Sequence, residues 1–306
     1  MNDKRTREIP SLAAPRYWPT WTGLALLRCI HTLPYRSQLS IGKTLGRALF
    51  KLQSRRRHIA HTNLQRCFPH LRGEEKEKLL KDNFEALGIT LIEGAMSWWG
   101  RDREILDLVD FEGDEHLLSA LSSGRGIILL TGHLTSMELA AHMMGLRFGI
   151  AAMYRPLKNA VMDSMVKRAR AKHMSPVFPR NEVRTMIRAL KEGKAVWYGF
   201  DQNYGMKHSI FVPFFGVNAA TITSTSRFAK SGEALVIPFF PYRQDNGRYR
   251  IEILPPLDDF PGSDVTEDTQ RLNTILEQAI MKAPEQYLWI HRRFKTRPEG
   301  EPDVYN

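Results

Sequence analysis

The pattern of hydrophobic and polar positions changes near residue 111. Before it, the segment from Glu74 to Trp99 has apolar residues at every third or fourth position, which is the spacing of one face of a helix. This apolar stripe consists of Leu80, Phe84, Leu87, Leu91, Ala95 and Trp98. It predicts a long amphipathic helix that packs against a core, and we expect residues 37–110 to form a helical subdomain.

After residue 111, short apolar runs alternate with helical patterns. The run Ile127 to Leu130 is wholly apolar, which is typical of a strand covered on both faces. Further strands are predicted at 149–154, 195–200, 235–240 and 249–254, and helices from the first strand to Gly145 and at 159–172, 181–192 and 266–282. The alternation predicts an α/β domain over 111–306, with a mostly parallel sheet flanked by helices.

The N-terminal part contains the most apolar stretch near either end of the chain. Residues 1–15 are polar and predicted to be a disordered leader, and the apolar stretch 18–33 follows. Arg28 and His31 interrupt it, and it is shorter than the roughly 20 apolar residues of a membrane span. We predict a membrane-anchor helix over 16–36, either lying in the interface or crossing as a short tilted span. A buried core helix is the alternative.

The charge narrows the possible partners. The chain of 306 residues has a formal net charge of +11, which favours nucleic acid, anionic lipid or an acidic carrier protein. The basic run 51–61 follows the predicted anchor, where it suits a patch facing lipid phosphates. No helix-turn-helix, zinc-finger or RNP signature is present, and the basic residues lack interleaved aromatics. We therefore expect no nucleic-acid partner.

The cysteines and histidines show no ligand spacing. Cys29 and Cys67 are the only cysteines and lie far apart, which argues against a disulfide framework and a structural zinc site and suits a reducing, cytosol-facing environment. His133 and His142 are nine residues apart, without the short spacing of a metal site. We expect neither a metal nor another cofactor.

One histidine stands where chemistry is expected. The apolar strand runs into Thr131 and Gly132, His133 follows at the turn, and Glu138 lies in the next helix. Residues beyond the carboxyl ends of strands face the ligand crevice of open α/β sheets. There His133 can take a proton from a substrate hydroxyl, while Glu138 fixes its tautomer. The alternative is a structural histidine, with Glu138 in a capping box that begins at Thr135.

No serine or cysteine is obviously paired with this histidine. The pattern therefore indicates direct attack by a substrate hydroxyl rather than a covalent acyl-enzyme.

Other polar residues also follow predicted strands. Arg155 can bind phosphate through its planar fork, or form a surface ion pair. Asp201 and Gln202 stand at the crevice edge, where Asp201 either contacts substrate or pairs with Arg155. Arg180 and Arg227 are weaker phosphate candidates, with solvated side chains as the alternative.

Two further segments have a functional and a plain interpretation. The basic residues Lys167, Arg168, Arg170 and Lys172 share one helix face that can dock an acidic carrier protein, or simply face water. The Phe-rich segment 211–216 can line an acyl pocket, or form ordinary core.

The HxxxxE arrangement of His133 and Glu138 after GRGIILLTG resembles the HxxxxD/E signature of glycerolipid-type acyltransferases. An ordered set of further motifs, from about residue 15 to 300, resembles the late acyltransferases of lipid A biosynthesis, the lauroyl/myristoyl group. These motifs are PRYW at 15–18, NL and CFP within 63–69, YRP at 154–156, VWY at 196–198, DQNYG at 201–205, FVPFFG at 211–216, PEQY at 284–287 and HRRFK at 291–295.

The resemblance implies an acyltransferase of lipopolysaccharide biosynthesis at the cytoplasmic face of the inner membrane. Its donor would be an acyl carrier protein thioester with a lauroyl- or myristoyl-class chain. Its acceptor would be a Kdo-bearing, tetra-acylated lipid A precursor, attacking through a free 3-hydroxyl of an existing acyl chain. By the same resemblance, His133 is the general base, Glu138 holds it, and acyl carrier protein enters as co-substrate without a cofactor. The basic run beside the anchor predicts anionic inner-membrane lipid as a further partner.

Two other functions stay open at this point. One is an acyl-CoA-dependent glycerophospholipid acyltransferase. Gly132 stands where the glycerol-phosphate type has asparagine, and Glu138 replaces its aspartate, which weighs against that function. The other is a non-catalytic basic protein that binds membrane or nucleic acid.

Overall fold

A computed structural model describes residues 12–306 of the chain. Most of the predicted leader, residues 1–11, lies outside the described residues. Residues 12–14 form a turn, and a short 3-10 helix at Pro15–Tyr17 leads directly into the first α-helix.

Five helices precede the sheet: α1 (Trp18–His31), α2 (Tyr35–Leu52), α3 (Ser54–Cys67), α4 (Gly73–Trp99) and α5 (Asp102–Leu106). The long amphipathic helix is confirmed as α4. Helices α2 and α4 cross closely because Gly46 and Gly88 face each other; a Cβ on Gly88 would lie 2.3 Å from the backbone nitrogen of Gly46. Across residues 12–306, none of the helices combines the length and the apolar character needed to cross a membrane.

The rest of the chain alternates strands and helices. In order, the elements are β1 (Val109–Glu112), α6 (Asp114–Ser122), β2 (Ile127–Thr131), α7 (Met137–Phe148), β3 (Ala151–Tyr154), α8 (Ala160–His173), β4 (Val177–Pro179), α9 (Val183–Lys191), β5 (Ala195–Gly199), β6 (Ser209–Phe214), β7 (Val217–Ile222), α10 (Ser224–Gly232), β8 (Leu235–Arg243), β9 (Tyr249–Ile253), α11 (Val265–Lys282) and a 3-10 helix at Pro284–Gln286.

Seven of these strands form one sheet in the order β1-β9-β8-β2-β5-β3-β4. Every neighbouring pair is parallel except β8 and β9, which are antiparallel. The exception has a local cause, since Gly247 has a φ of +85° in the tight turn that joins these two strands. The expected α/β class with a mostly parallel sheet is confirmed.

The central strand β2 is buried along its whole length. Ile128 and Leu130 point into one hydrophobic cluster, and Ile127 and Leu129 into the other, so both faces of the sheet are covered. The first cluster also contains Phe84 of α4, which means that the front helices share their core with the sheet. Whether the segments before and after residue 111 are separate domains stays a prediction.

Strands β6 and β7 form a separate antiparallel hairpin, which the hydrophobic pattern did not predict. It contains the Phe-rich segment 211–216. Phe214 is fully buried and packs near Tyr287 and Phe294, while Phe215 packs against Phe68. These two phenylalanines therefore belong to the core.

Candidate active site

The site begins with the pairing of two parallel strands. In the register of β2 and β5, the last residues Thr131 and Gly199 are partners. His133 and Asp201 each follow two residues after these partners, so both emerge at the same edge of the sheet. The carboxyl ends of parallel strands are where α/β sheets place their ligand sites.

Asp201 contacts His133 through both carboxylate oxygens. Oδ1 of Asp201 lies 2.5 Å from the ring Nδ1 of His133, and Oδ2 accepts the backbone N–H of His133 at 3.0 Å. Oδ2 also accepts the hydroxyl of Tyr287 at 2.8 Å. Asp201 is 1% exposed, so three hydrogen bonds from protein donors replace the water that would otherwise solvate this carboxylate.

The surroundings set the charge of this pair. Burial lowers the pKa of His133, but the charge of Asp201 and the hydrogen bond to it outweigh burial, and the pKa lies above the ordinary histidine value. Burial raises the pKa of Asp201, yet His133 and its other donors hold that pKa well below the usual range. Asp201 is therefore an anion. Because Nδ1 faces this anion, Nε2 is the ring nitrogen left to accept a proton.

Gly199 gives the imidazole room beside β5. A Cβ at position 199 would lie 2.9 Å from Cε1 of His133, which is closer than real side chains allow. The glycine at the end of β5 is thus required by the ring of His133 on the neighbouring strand.

His133 lies on the wall of a cavity of about 720 Å³. Its apolar wall includes Met137, Met153, Val166, Trp197 and Phe228. Four residues predicted to bind substrate, Arg155, Arg180, Gln202 and Arg227, line the same cavity. The structure therefore brings them together with His133, and the three arginines are exposed at its rim.

The expected pairing of Glu138 with His133 is wrong in this structure. Glu138 forms a two-point ion pair with Arg170, at 2.5 Å to Nη2 and 3.2 Å to Nε. The reason is that α7 starts at Met137, so the first turn of this helix directs Glu138 across to α8. Glu138 lines the cavity, but Asp201 holds His133. The alternative capping box is also absent, since the hydroxyl of Thr135 makes no hydrogen bond and both carboxylate oxygens of Glu138 accept from Arg170.

Two related expectations also change. Asp201 does not pair with Arg155, because its carboxylate is buried and occupied by His133 and Tyr287. Arg155 enters none of the ion pairs found between residues 12 and 306. Arg170 does not belong to an exposed basic face, since its guanidinium faces Glu138 and lies 5.5 Å from the Trp197 ring.

Residues 5–296 match the family described as bacterial lipid A biosynthesis acyltransferase. The chain belongs to this family. It is 38% identical over 297 residues to the lipid A biosynthesis lauroyltransferase of Escherichia coli (strain K12), covering 96% of this chain and 97% of that protein. The palmitoleoyltransferase of that strain is 40% identical over 293 residues, 95% of each chain. Its myristoyltransferase is 30% identical over 298 residues, 96% of this chain and 92% of that protein.

The family resemblance deduced from the motifs is thereby confirmed. The protein is an acyltransferase of lipid A biosynthesis, a pathway that points to membrane association and to a lipid A precursor as substrate.

The C-terminal part of this lipid A acyltransferase contacts the active-site loop. In the sequence analysis its residues served only as family motifs, and their contacts were not predicted. Asn203 donates its backbone N–H to Nε2 of His291 at 3.1 Å and its side-chain amide to the carbonyl of Arg293 at 3.2 Å. Burial lowers the pKa of His291 to about 4, so this histidine is neutral and can accept. The loop that carries Asp201 is therefore held in place at Asn203, two residues after Asp201, by the C-terminal segment.

Arg293 is a buried cation in the same region. It is 2% exposed and donates to the carbonyl of Ala220 at 2.7 Å and to the hydroxyl of Thr221 at 2.6 Å. Burial lowers the pKa of Arg293. Its contacts join the C-terminal segment to the β6–β7 hairpin. The PEQY and HRRFK motifs thus mark the residues that make these contacts. The local sequence pattern does not predict which residues they contact.

A histidine cluster of the lipid A acyltransferase lies away from the cavity wall. Among residues 12–306, one group places three potential metal-ligand atoms within 4.8 Å of one another, from Asp102, His142 and His173. The two imidazole rings are stacked, with centroids 3.8 Å apart and planes at 18°. Nε2 of His142 and Nε2 of His173 lie 3.3 and 3.8 Å from the same carboxylate oxygen of Asp102. The expectation of no metal stays a prediction.

Proposed function

We propose that this lipid A acyltransferase moves a lauroyl- or myristoyl-class chain from acyl carrier protein to a hydroxyl of a Kdo-bearing, tetra-acylated lipid A precursor, with His133 as general base. The observation that carries the proposal is the 2.5 Å contact between Nδ1 of His133 and Asp201 at the wall of the cavity. The names of the relatives, which transfer lauroyl, palmitoleoyl and myristoyl groups, support a fatty acyl donor.

In the proposed step, Nε2 of His133 takes the proton of the acceptor hydroxyl as its oxygen attacks the thioester carbonyl. The new C–O bond forms, the C–S bond breaks, and the carrier thiolate takes the proton back from the imidazolium. Asp201 stabilises that imidazolium while it exists, because its buried negative charge lies against Nδ1.

The side chains around the cavity support direct attack without an acyl-enzyme. The wall contains no cysteine within the described part of the chain, and among the same residues no hydrogen bond joins Ser224 on the wall to His133. A nucleophilic serine needs a hydrogen bond to its base. Ser224 lacks that bond to His133, which supports the substrate hydroxyl as the nucleophile.

The composition of the cavity wall suits both substrates. Its apolar side chains can hold a fatty acyl chain, since ligand sites of this size bury apolar groups and orient them with a few polar ones. The exposed Arg155, Arg180 and Arg227 at the rim can bind the phosphates of the acceptor, and Gln202 can hydrogen-bond to its polar groups. In the proposed arrangement, the lipid headgroup lies at the mouth of the cavity and the acyl chain lies inside.

Helix α8 offers a surface for the donor. Lys167, Arg168 and Lys172 are exposed on this helix, while Arg170 of the same helix lines the cavity. An acidic carrier protein docked on these cations would hold its thioester arm beside the cavity. The basic surface supports acyl carrier protein over a small free thioester as donor.

Helix α1 suits an interfacial position at the cytoplasmic face of the inner membrane. Trp18 is 62% and Leu26 61% exposed, and Trp21 is exposed beside them. Aromatic and aliphatic side chains on an exposed helix face are typical of helices that lie in the interface of anionic lipid. The side chain of Asn159, at the start of α8, donates to Thr20 at 2.7 Å. The lipid surface would thus adjoin the helix that lines the cavity.

A substrate comparison tests the proposal. Purified protein is incubated with lauroyl- or myristoyl-loaded carrier protein or the matching coenzyme A thioester, and with the tetra-acylated precursor or a glycerophospholipid. Mass spectrometry then reports the lipid product. We expect a gain of one acyl chain with the carrier thioester and the precursor. Transfer from coenzyme A onto the glycerophospholipid alone would contradict the proposal.

A further inference from the structure

The segment 284–293 contacts both loops of the active site, the one with His133 and the one with Asp201. The carbonyl of Gln286 accepts the backbone N–H of Thr135 at 2.7 Å, and the N–H of Leu288 donates to the carbonyl of His133 at 3.0 Å. These two bonds fix the backbone from the base to Thr135, on either side of Leu134. The residue between them, Tyr287, forms an antiparallel bridge with Leu134.

Tyr287 joins this segment to Asp201. Its side chain is buried at 3% exposure, and its hydroxyl donates to Oδ2 of Asp201 at 2.8 Å. The ring packs edge-on against Trp289 at 4.8 Å and lies 6.0 Å from Phe214, which fixes the direction of the hydroxyl. Tyr287 is not on the cavity wall, so any effect on the reaction passes through Asp201.

The hydroxyl keeps its proton under all working conditions. Burial and the charge of Asp201 raise the pKa of Tyr287 well above its ordinary value. It therefore always donates to the carboxylate, and this hydrogen bond stabilises part of the negative charge of Asp201. Without it, the same buried charge would be left to the ring and backbone donors of His133.

We infer that Tyr287 is a positioning residue for acyl transfer, whose hydroxyl holds the Asp201 carboxylate against His133 and limits how strongly Asp201 retains the proton of the base. This inference rests on the proposed roles of His133 and Asp201. It gives the PEQY motif a function in the reaction beyond its packing.

The test is Tyr287→Phe in the full chain, which removes one oxygen and keeps the ring. We expect kcat at neutral pH to fall roughly ten-fold, the effect of losing one hydrogen bond to a charged group, with KM unchanged for both substrates. The acidic limb of the rate profile should move to higher pH, because His133 must lose its proton to act and Asp201 now retains that proton more strongly. Imidazole NMR of His133 should show the same direction without turnover.

Tyr242→Phe is the matched control. Tyr242 is equally buried, at 4% exposure, and its hydroxyl donates to the carbonyl of Ala279 at 3.1 Å, away from the cavity wall. It loses the same atom and a buried hydrogen bond, so thermal unfolding shows the structural cost alone. We expect its rate profile to coincide with the wild type. If the limb of Tyr287→Phe stays in place or moves to lower pH, the inference is wrong.

Asp201→Asn separates this inference from the function beneath it. Wild-type turnover in Asp201→Asn would contradict the proposed role of Asp201 and, with it, that of Tyr287. If Asp201→Asn loses most of its turnover while the acidic limb of the rate profile of Tyr287→Phe does not move, only the role of Tyr287 is contradicted.

Discussion

Asp201 holds His133 at two points, with one oxygen on the ring nitrogen and the other on the backbone N–H of the same residue. Side chain and main chain of the base are therefore fixed relative to a single carboxylate. The two residues are 68 positions apart in sequence, and the register of β2 with β5 brings them together. Glu138, only five residues from the base, instead pairs with Arg170.

This arrangement predicts different losses for the two carboxylates. In Asp201→Asn the imidazolium loses its buried counter-charge, and we expect kcat to fall by roughly 10²-fold or more. Glu138→Gln removes the charge that Arg170 faces in a mostly buried pair, so we expect a stability loss of about 1–3 kcal/mol. Because Glu138 lines the cavity, we also expect a higher KM. Steady-state kinetics and thermal unfolding of both variants measure this. A larger kcat loss in Glu138→Gln, in a folded protein, would contradict the assignment.

The pH dependence follows from the raised pKa of His133. The base acts only when neutral, so the rate should rise as pH increases through that pKa. Removing the charge of Asp201 leaves burial to dominate, and burial lowers the pKa. In Asp201→Asn, the acidic limb and the NMR titration of His133 should therefore move to lower pH. A titration of His133 that is the same in both proteins would show that Asp201 does not set its charge.

The space beside the base gives a steric prediction. In Gly199→Ala the new methyl group would lie 2.9 Å from Cε1 of His133, so the ring must move. We expect kcat to fall roughly ten- to hundred-fold, since small displacements of catalytic groups have effects of this size. Gly73→Ala is the control, because a Cβ there meets no atom within 4 Å. Equal kcat in the two variants would show that the ring position is not critical.

The strand Ile127–Thr131 and the position of His133 after it were predictable, because both follow from a local apolar run and its end. The sequence also placed Asp201 after a strand. What it did not contain was the order of the strands, so proximity in sequence favoured Glu138 as the partner. The start of α7 at Met137 and the bond from Tyr287 depend on contacts between distant segments, which local pattern does not specify.

The arginines at the rim predict a phosphate-dependent affinity. Alanine at Arg155, Arg180 or Arg227 should raise KM for the lipid acceptor by roughly ten-fold each, with little change in kcat, since each removes a charged contact. Arg188→Ala is the control, because this exposed residue of α9 is outside the cavity wall. With an acceptor that lacks its phosphates, the difference between rim and control variants should disappear. If it persists, these arginines do not bind phosphate.

Helix α1 predicts membrane binding through its exposed face. The variant with alanine at Trp18, Trp21 and Leu26 should lose most of its co-sedimentation with phosphatidylglycerol/phosphatidylethanolamine vesicles, because it removes apolar surface from the interface. Turnover in detergent micelles should stay near the wild-type value. Met281→Ala removes a 54% exposed apolar side chain on α11 and serves as the control. Unchanged vesicle binding of the triple variant would contradict an interfacial α1.

Loss of the imidazole tests directly whether His133 is the base of acyl transfer to a lipid A precursor. Three proteins are compared: wild type, His133→Ala and the control His116→Ala. Each is incubated with myristoyl- or lauroyl-loaded carrier protein and the tetra-acylated precursor, and mass spectrometry measures the mass of the lipid product. If His133 is the base, the lipid gains one acyl chain with wild type and with His116→Ala and gains none with folded His133→Ala. The same gain with His133→Ala would contradict this role of His133.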